Sequence, residues 1–290
     1  MRKQVLFILS LFLAINLHAE NKFVIEGRVA NVPDGLIVEL LRNEDNVGML
    51  VASDTLRNGK FRFEEETSGN GTDWMFLTAR TDNYYSMILY LWVRPGSSIR
   101  ISADNLLVYT WNVESDVPEQ QTRSKILASS RDLWNEYQIL DGDYDSLRSR
   151  IKSGKYSGEE KKRQKARLDS MKQAKSMLQD RISAVELEAM AKLDVDQAWM
   201  LNYVNTAYMV NISKNKDNLE KAKALYAYIP DVWRDSYSGR EAKNVLFPQH
   251  VVEVGEEAAD ADLYDIDGKL WHLSDFRGRY VLIDFWSRGC

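Results

Sequence analysis

Cysteine is almost missing from this chain: Cys290, the last residue, is the single one. A disulfide-stapled fold is therefore excluded, because such a framework needs paired thiols. A lone thiol in an exported chain is intermolecular, reactive, or half of a pair. Histidine is also scarce, at three residues. His250 and His272 stand far apart with no second cysteine to assist, so no metal site is expected. Hydrolase signatures are missing: there is no G-x-S-x-G, and three histidines give no triad. A glycine loop able to cradle phosphate is missing too, and no cofactor is expected. There is no excess of positive charge, the formal net charge being −5. The basic run Lys161-Lys162-Arg163-Gln164-Lys165, followed by Arg167, reads as the solvated face of a helix. No broad basic face remains, and no nucleic-acid partner is expected.

Long apolar runs are missing except at the amino end. Met1-Arg2-Lys3 is a short basic start, Val5 to Leu17 is apolar with one Ser and one Asn, and Leu17-His18-Ala19 is a small-residue cleavage site. This is the layout of a secretory signal peptide over residues 1–19. The apolar stretch falls short of the roughly 20 residues of a spanning helix. The alternative is an uncleaved anchor. Cleavage removes Arg2 and Lys3 and takes the formal charge from −5 to −7. The mature chain, from about Glu20, is long enough for two domains and is expected to keep no stable membrane span.

From Phe23 to about Thr110 short β-rich segments alternate with turns: Phe23–Val29, Leu36–Leu41, Met49–Leu56, Phe61–Glu64, Trp74–Ala79, Met87–Val93 and Ser98–Ser102. Asn58-Gly59 is a hairpin signal, because a type I′ turn needs positive φ at both central residues. Arg94-Pro95-Gly96 reads as a turn. The spacing predicts a small antiparallel sandwich or barrel. Asp54, Asp73, Asp82 and Asp104 sit near turns and form no catalytic constellation. Trp74, Tyr84, Tyr85, Tyr90, Trp92, Tyr109 and Trp111 read as core and sheet filling, with a ligand-stacking face as the alternative.

From Pro118 to about Leu246 the apolar period becomes helical. Ile126, Ser130, Leu133, Trp134, Tyr137 and Leu140 share a face, and Asp141-Gly142-Asp143 is expected to break that helix. Glu159 to Leu193 is a long charged helix with a narrow stripe (Leu168, Met171, Leu178, Ile182, Val185, Ala189) in which Lys175 fills one step. Its simplest partner is the preceding helix, in an antiparallel hairpin; Lys175 argues against a dimeric coiled coil. Further helices are expected over Asp196–Val210 and Leu219–Tyr228, and, after Pro230, over Val232–Val245. Trp199, Met200, Tyr203, Tyr208 and Met209 read as core.

The last forty residues hold ordered blocks. Asp265 and Gly268-Lys269 bracket an Asp-Gly turn, and Leu273-Ser274-Asp275-Phe276-Arg277-Gly278-Arg279 reads as a capped short turn. Tyr280 to Phe285 reads as a strand buried on both faces, and Trp286-Ser287-Arg288-Gly289-Cys290 follows. These blocks resemble the start of the thioredoxin-like domain in envelope thiol–disulfide oxidoreductases of the TlpA/ResA kind. There D-x-x-G-K, L-S-D-F-[KR]-G-K and V-L-[LIV]-[DN]-F-W-[AS]-x-x-C-x-x-C occur in that order. Gly289 departs from the family, which often has Trp at that place. The β-rich front and helical middle more loosely resemble the N-terminal region of uncharacterised function often joined to such domains in Gram-negative envelope proteins.

The resemblance implies a periplasmic thiol–disulfide exchange protein acting on protein disulfides or dithiols and supplied by an envelope electron donor. Cys290 becomes the nucleophilic thiol, with Phe285 and Trp286 packed near it. Asp284 handles a proton or, alternatively, is a hydrogen-bonded strand-end residue. The expected fold class is α+β and multidomain: an antiparallel β-sandwich over residues 20–117, a helical region over 118–247, and an incomplete thioredoxin-like α/β segment over 248–290. The family's second cysteine, the helix it opens, its cis-proline loop and its later strands do not occur here. The expectation is a truncated chain without turnover, whose last forty residues are poorly packed or lean on the helices. The alternative is a short form in which Cys290 pairs with another chain. A competing function is a non-catalytic binding or anchoring module with a vestigial redox segment. A peroxidase relative fits less well, since Ser287-Arg288-Gly289 does not match its Thr and Pro ahead of the cysteine.

Overall fold

The computed structural model describes residues 21–44, 47–81, 84–248 and 252–284. The expected signal peptide, Phe285, Trp286 and Cys290 lie outside the described residues. The chain divides into two compact units at Leu246 and Phe247, and its class is α+β.

The described residues of the first unit open with nine strands: β1 (Lys22–Val29), β2 (Ile37–Glu44), β3 (Val47–Thr55), β4 (Lys60–Glu66), β5 (Asp73–Thr81), β6 (Tyr84–Tyr85), β7 (Leu89–Val93), β8 (Ser98–Ala103) and β9 (Asn112–Glu114). They form two sheets, one in the order β4-β1-β8-β9 and the other in the order β3-β2-β5-β6, with β7 also paired to β5. Strict alternation explains β1: Phe23, Ile25 and Val29 are buried while Lys22, Glu26 and Arg28 face solvent. With Phe61, Phe63, Ile99 and Ile101 from one sheet and Val38, Leu40, Met75, Leu77 and Leu91 from the other, they form one hydrophobic cluster. Each such side chain contributes about 1.5–3 kcal/mol of burial. Gly27 faces Phe61 across the β1–β4 ladder, and a Cβ on Gly27 would lie 1.9 Å from the Phe61 ring. The ring fills the space that a side chain would take.

Two expectations about these sheets need correction. The β1–β8 pair runs parallel, with Val24 opposite Ser98 and Val29 opposite Ala103, so the sheets are not wholly antiparallel. The chain passes from β1 to the other sheet, comes back at β4 along one edge of β1, crosses again through β5 to β7, and only then lays β8 along the other edge of β1 in the same direction. Asn58-Gly59 does form a turn, with φ of 50° and 67° and reciprocal Arg57–Lys60 backbone bonds. The ladder nevertheless stops at that one bridge: β3 pairs with β2 and β4 with β1. The turn passes the chain from one sheet to the other.

Among the described residues six helices follow: α1 (Pro118–Lys152), α2 (Gly158–Met190), α3 (Gln197–Ser213), α4 (Lys216–Tyr226), α5 (Asp231–Arg234) and α6 (Tyr237–Leu246). Pro118 opens α1 at a position where a missing N–H costs nothing. Asp196 and Asn215 cap α3 and α4, accepting from the backbone N–H of Trp199 and Asn218. α1 runs unbroken through Asp141-Gly142-Asp143, correcting the expected break. A mid-helix glycine costs only about 1 kcal/mol, and α2 packs along this stretch, where Lys175 pairs with Asp141 and lies over the rings of Tyr137 and Tyr144. After Pro230 the expected single helix is two, α5 and α6. Ser236 ends the first by donating to Trp233 O at 2.6 Å and starts the second by accepting from Gly239 N at 3.1 Å.

β7 joins sheet to helices. Leu89, Leu91 and Val93 belong to the core of the strands, whereas Trp92 packs with Val117 and Ala198 and its backbone N–H donates to Gln120 of α1 at 3.0 Å. Tyr90 points the same way, against the cluster of Tyr109, Leu127, Trp134 and Ile182.

In the second unit β10 (Leu263–Tyr264) and β11 (Leu270–Trp271) form an antiparallel pair, and Leu273–Phe276 is a 3-10 turn. Residues 280–284 form no strand; Tyr280 and Leu282 are fully exposed and Val281 and Ile283 half-exposed. The buried strand expected over Tyr280–Phe285 is thus not formed over its described part. A strand apolar on both faces needs paired neighbours and covering helices, and none pairs with it among the described residues.

Candidate functional site

In the second unit the motif residues meet locally. Gly268, at φ 76°, lets the chain turn. Asp265 Oδ1 accepts from the N–H of Asp267 at 3.1 Å and of Lys269 at 2.9 Å, and its Oδ2 accepts from Trp271 Nε1 at 2.9 Å. These donors, the Trp271 indole first, hold the Asp265 carboxyl below its usual range. Lys269 Nζ lies 3.8 Å from the Trp271 ring centroid, and Trp271 stacks on Phe276. Asp275 accepts from His272 N at 2.8 Å, closing the 3-10 turn. Asp284 is exposed. Its relation to Cys290, Phe285 and Trp286 lies outside the described residues.

A second group of residues meets in the first unit. α1, α2, α3 and β7 enclose a cavity of about 310 Å³, lined among others by Tyr109, Arg123, Trp134, Ile182, Glu186 and Asn202. Arg123 is only 2 % exposed. Its Nη1 donates to Asn202 Oδ1 at 2.6 Å, while Nε and Nη2 have no hydrogen-bond partner among the described residues. The guanidinium carbon lies 5.1 Å from the centroid of the Tyr109 ring and 5.7 Å from that of Tyr90. Glu186 is 5 % exposed; its Oε1 accepts from Ser130 Oγ and from Trp134 Nε1, each at 2.7 Å. The Ser130 bond fixes the carboxylate and the Trp134 bond the indole, whose ring packs 4.4 Å from that of Tyr109. Among the lining residues Asn205, on α3, is exposed to solvent.

Burial opposes the charge on Arg123, but Tyr109 and Glu186 outweigh it and raise its affinity for the proton, so the guanidinium stays charged. Burial pushes the Tyr109 phenol up to about 12 and raises Tyr90 as well. Both phenols are therefore neutral around neutral pH.

Comparison with known proteins returned no match to any family model, curated protein or solved structure.

The two sites differ in chemistry. The first presents short turns and a carboxylate close to the terminal thiol in sequence. The second is a partly enclosed, aromatic-walled space with one cation, one anion and amide and hydroxyl groups, the usual composition of a small-molecule site. Arg123, Glu186 and Asn202 were missed in the sequence, although a signal exists. Arg123 stands one helical step before Ile126, Ser130 and Trp134, and Glu186 one step after Ile182. A charge on an apolar stripe marks a buried ion that needs a partner. Of the aromatic residues weighed as a stacking face, Tyr90 and Tyr109 line the cavity, whereas Trp92 and Trp111 are buried core.

Proposed function

We propose that the chain belongs to an envelope thiol–disulfide oxidoreductase of thioredoxin-like type in which Cys290 is the nucleophile, and that these 290 residues, with a single cysteine, do not turn over by themselves. The observation that carries this reading is the ordered run of motif blocks from Asp265 to Cys290. The Asp265-centred turn and the capped turn at Leu273–Phe276 support it, since both blocks adopt compact local structures. In the reaction the Cys290 thiolate attacks one sulfur of a substrate disulfide. A Cys290–substrate S–S bond forms, and the other substrate sulfur leaves as a thiolate. A second thiol then attacks Cys290 sulfur, breaks the mixed disulfide and frees the reduced substrate; two electrons pass from the thiol pair to the substrate. Cys290 is the single cysteine of the 290 residues, so the second thiol comes from elsewhere. The finer fold reading, a β-sandwich, a helical region and the opening of a thioredoxin-like domain, belongs to this proposal. So does a periplasmic location with protein disulfide substrates and an envelope electron donor.

The test reads the gene past the Cys290 codon and assays the encoded protein for insulin-disulfide reduction driven by a thiol donor. A cysteine codon at the third position on, with activity lost in Cys290→Ser, is the expected result. A reading frame lacking that cysteine overturns the assignment.

A further inference from the structure

We propose that the cavity bounded by α1, α2, α3 and β7 binds a small zwitterion of amino-acid type. Its carboxylate would sit on the Nε–Nη2 edge of Arg123, its ammonium on Glu186, and its apolar side chain against Tyr109, Trp134 and Ile182. This site is separate from the Cys290 chemistry and does not depend on it.

The unpartnered donors come first. Buried polar groups are nearly always hydrogen-bonded, and an orphaned charged donor is the most costly kind. Arg123 has two, Nε and Nη2, on the edge of the guanidinium that takes a carboxylate through two parallel bonds. Asn202 holds the remaining nitrogen, Nη1, and so orients the fork. The rings of Tyr90 and Tyr109 support the cation from its faces; the Tyr109 hydroxyl lies near enough to favour the charged guanidinium but makes no well-formed hydrogen bond to Nε or Nη2.

The charge balance selects the ligand. Arg123 and Glu186 line the same cavity and form no ion pair with each other. Together they are neutral, so a plain anion would leave one uncompensated negative charge in a partly enclosed site, which is costly. A phosphate dianion would leave more. A molecule carrying both charges keeps the site neutral and satisfies both residues. Ser130 and Trp134 both bind Oε1 of Glu186, which leaves Oε2 as the oxygen for an ammonium group. The remaining wall is aromatic and aliphatic, and a volume of about 310 Å³ lies in the range of small-molecule sites. Asn205 both lines the cavity and is exposed, which places the mouth beside it and lets a ligand enter without unfolding of the helices.

The experiment is isothermal titration calorimetry on the full chain with L-phenylalanine, L-leucine, 3-phenylpropionate (carboxylate only) and phenethylamine (ammonium only). The amino acids are expected to bind, and each half-ligand to bind about ten- to hundredfold more weakly, the worth of one charged hydrogen bond. Arg123→Met should remove the advantage of the carboxylate and Glu186→Gln that of the ammonium. Asn205→Trp, at an exposed helical position, should close the mouth and abolish binding while leaving both charges and the fold in place. Equal binding of 3-phenylpropionate and L-phenylalanine overturns the zwitterion assignment. Absence of heat with all four probes, or unchanged binding in Asn205→Trp, overturns the site itself and leaves a water-filled cavity.

Discussion

Nη1 of Arg123 donates to Oδ1 of Asn202 at 2.6 Å across a sequence distance of 79 residues, and Asn202 Nδ2 in turn donates to the carbonyl of Ala198 at 2.8 Å. α1 and α3 are thereby joined by a buried amide that keeps both of its ends occupied. Asn202→Ala removes the acceptor of Arg123 Nη1 and should cost about 3 kcal/mol, read from the urea midpoint. Asn202→Asp restores an acceptor next to the cation and should cost clearly less. Equal losses for the two would mean that the bond does not support the fold.

Glu186 ties α2 to α1 through Ser130 and Trp134. Glu186→Ala leaves two buried donors unpaired, with an expected loss of about 2–4 kcal/mol. Glu186→Gln keeps an acceptor and should lose roughly half of that or less. Chemical denaturation followed by tryptophan fluorescence measures both.

The tyrosines predict alkaline instability. Burial raises Tyr84 and Tyr109 from 10.0 to about 12 in the folded chain. A group whose folded value lies above its unfolded one favours the fold fully below the unfolded value. Between pH 10 and about 12 the unfolded chain ionises these phenols first, binds fewer protons than the folded chain, and so gains. Stability should fall by about 1.4 kcal/mol per pH unit for each such phenol over this window. Tyr84→Phe should flatten the fall, and urea melts at stepped pH would show it. A stability independent of pH there would contradict the burial of both rings.

Gly59 has φ +67°, and a Cβ there would stand 2.5 Å from the carbonyl oxygen of Val29. Gly59→Ala should therefore cost about 2 kcal/mol or more, through strain and the clash together. A thermal melt that leaves the midpoint in place would argue against this geometry.

Strands with alternating burial, such as β1 and β8, were legible because every second residue votes for the same face. The two-residue turn at Asn58-Gly59 was legible from local chemistry, but its sheet membership was not. That choice belongs to the common core, which places β3 beside β2 and β4 beside β1. Asp141-Gly142-Asp143 looked like a stop because the weak local preference was visible and the packing of α2 with Lys175 was not. The apolar run at Tyr280–Ile283 looked like a central strand on composition, while strand formation depends on neighbours. Arg123 and Glu186 were readable as charges within apolar stripes, but only the structure brings residues from three helices around one cavity.

The parallel pairing of β1 with β8 also sets an order of assembly. β1 is made first, yet one of its two neighbours is made only when the chain has reached Ala103. Until then β1 is held on one side alone, by β4, with its other edge open to unwanted pairing. Closing so long a loop is slow relative to local helix formation. The step that sets the folding rate of this unit is thus expected to be the late arrival of β8, and any chain ending before Ala103 should remain prone to self-association.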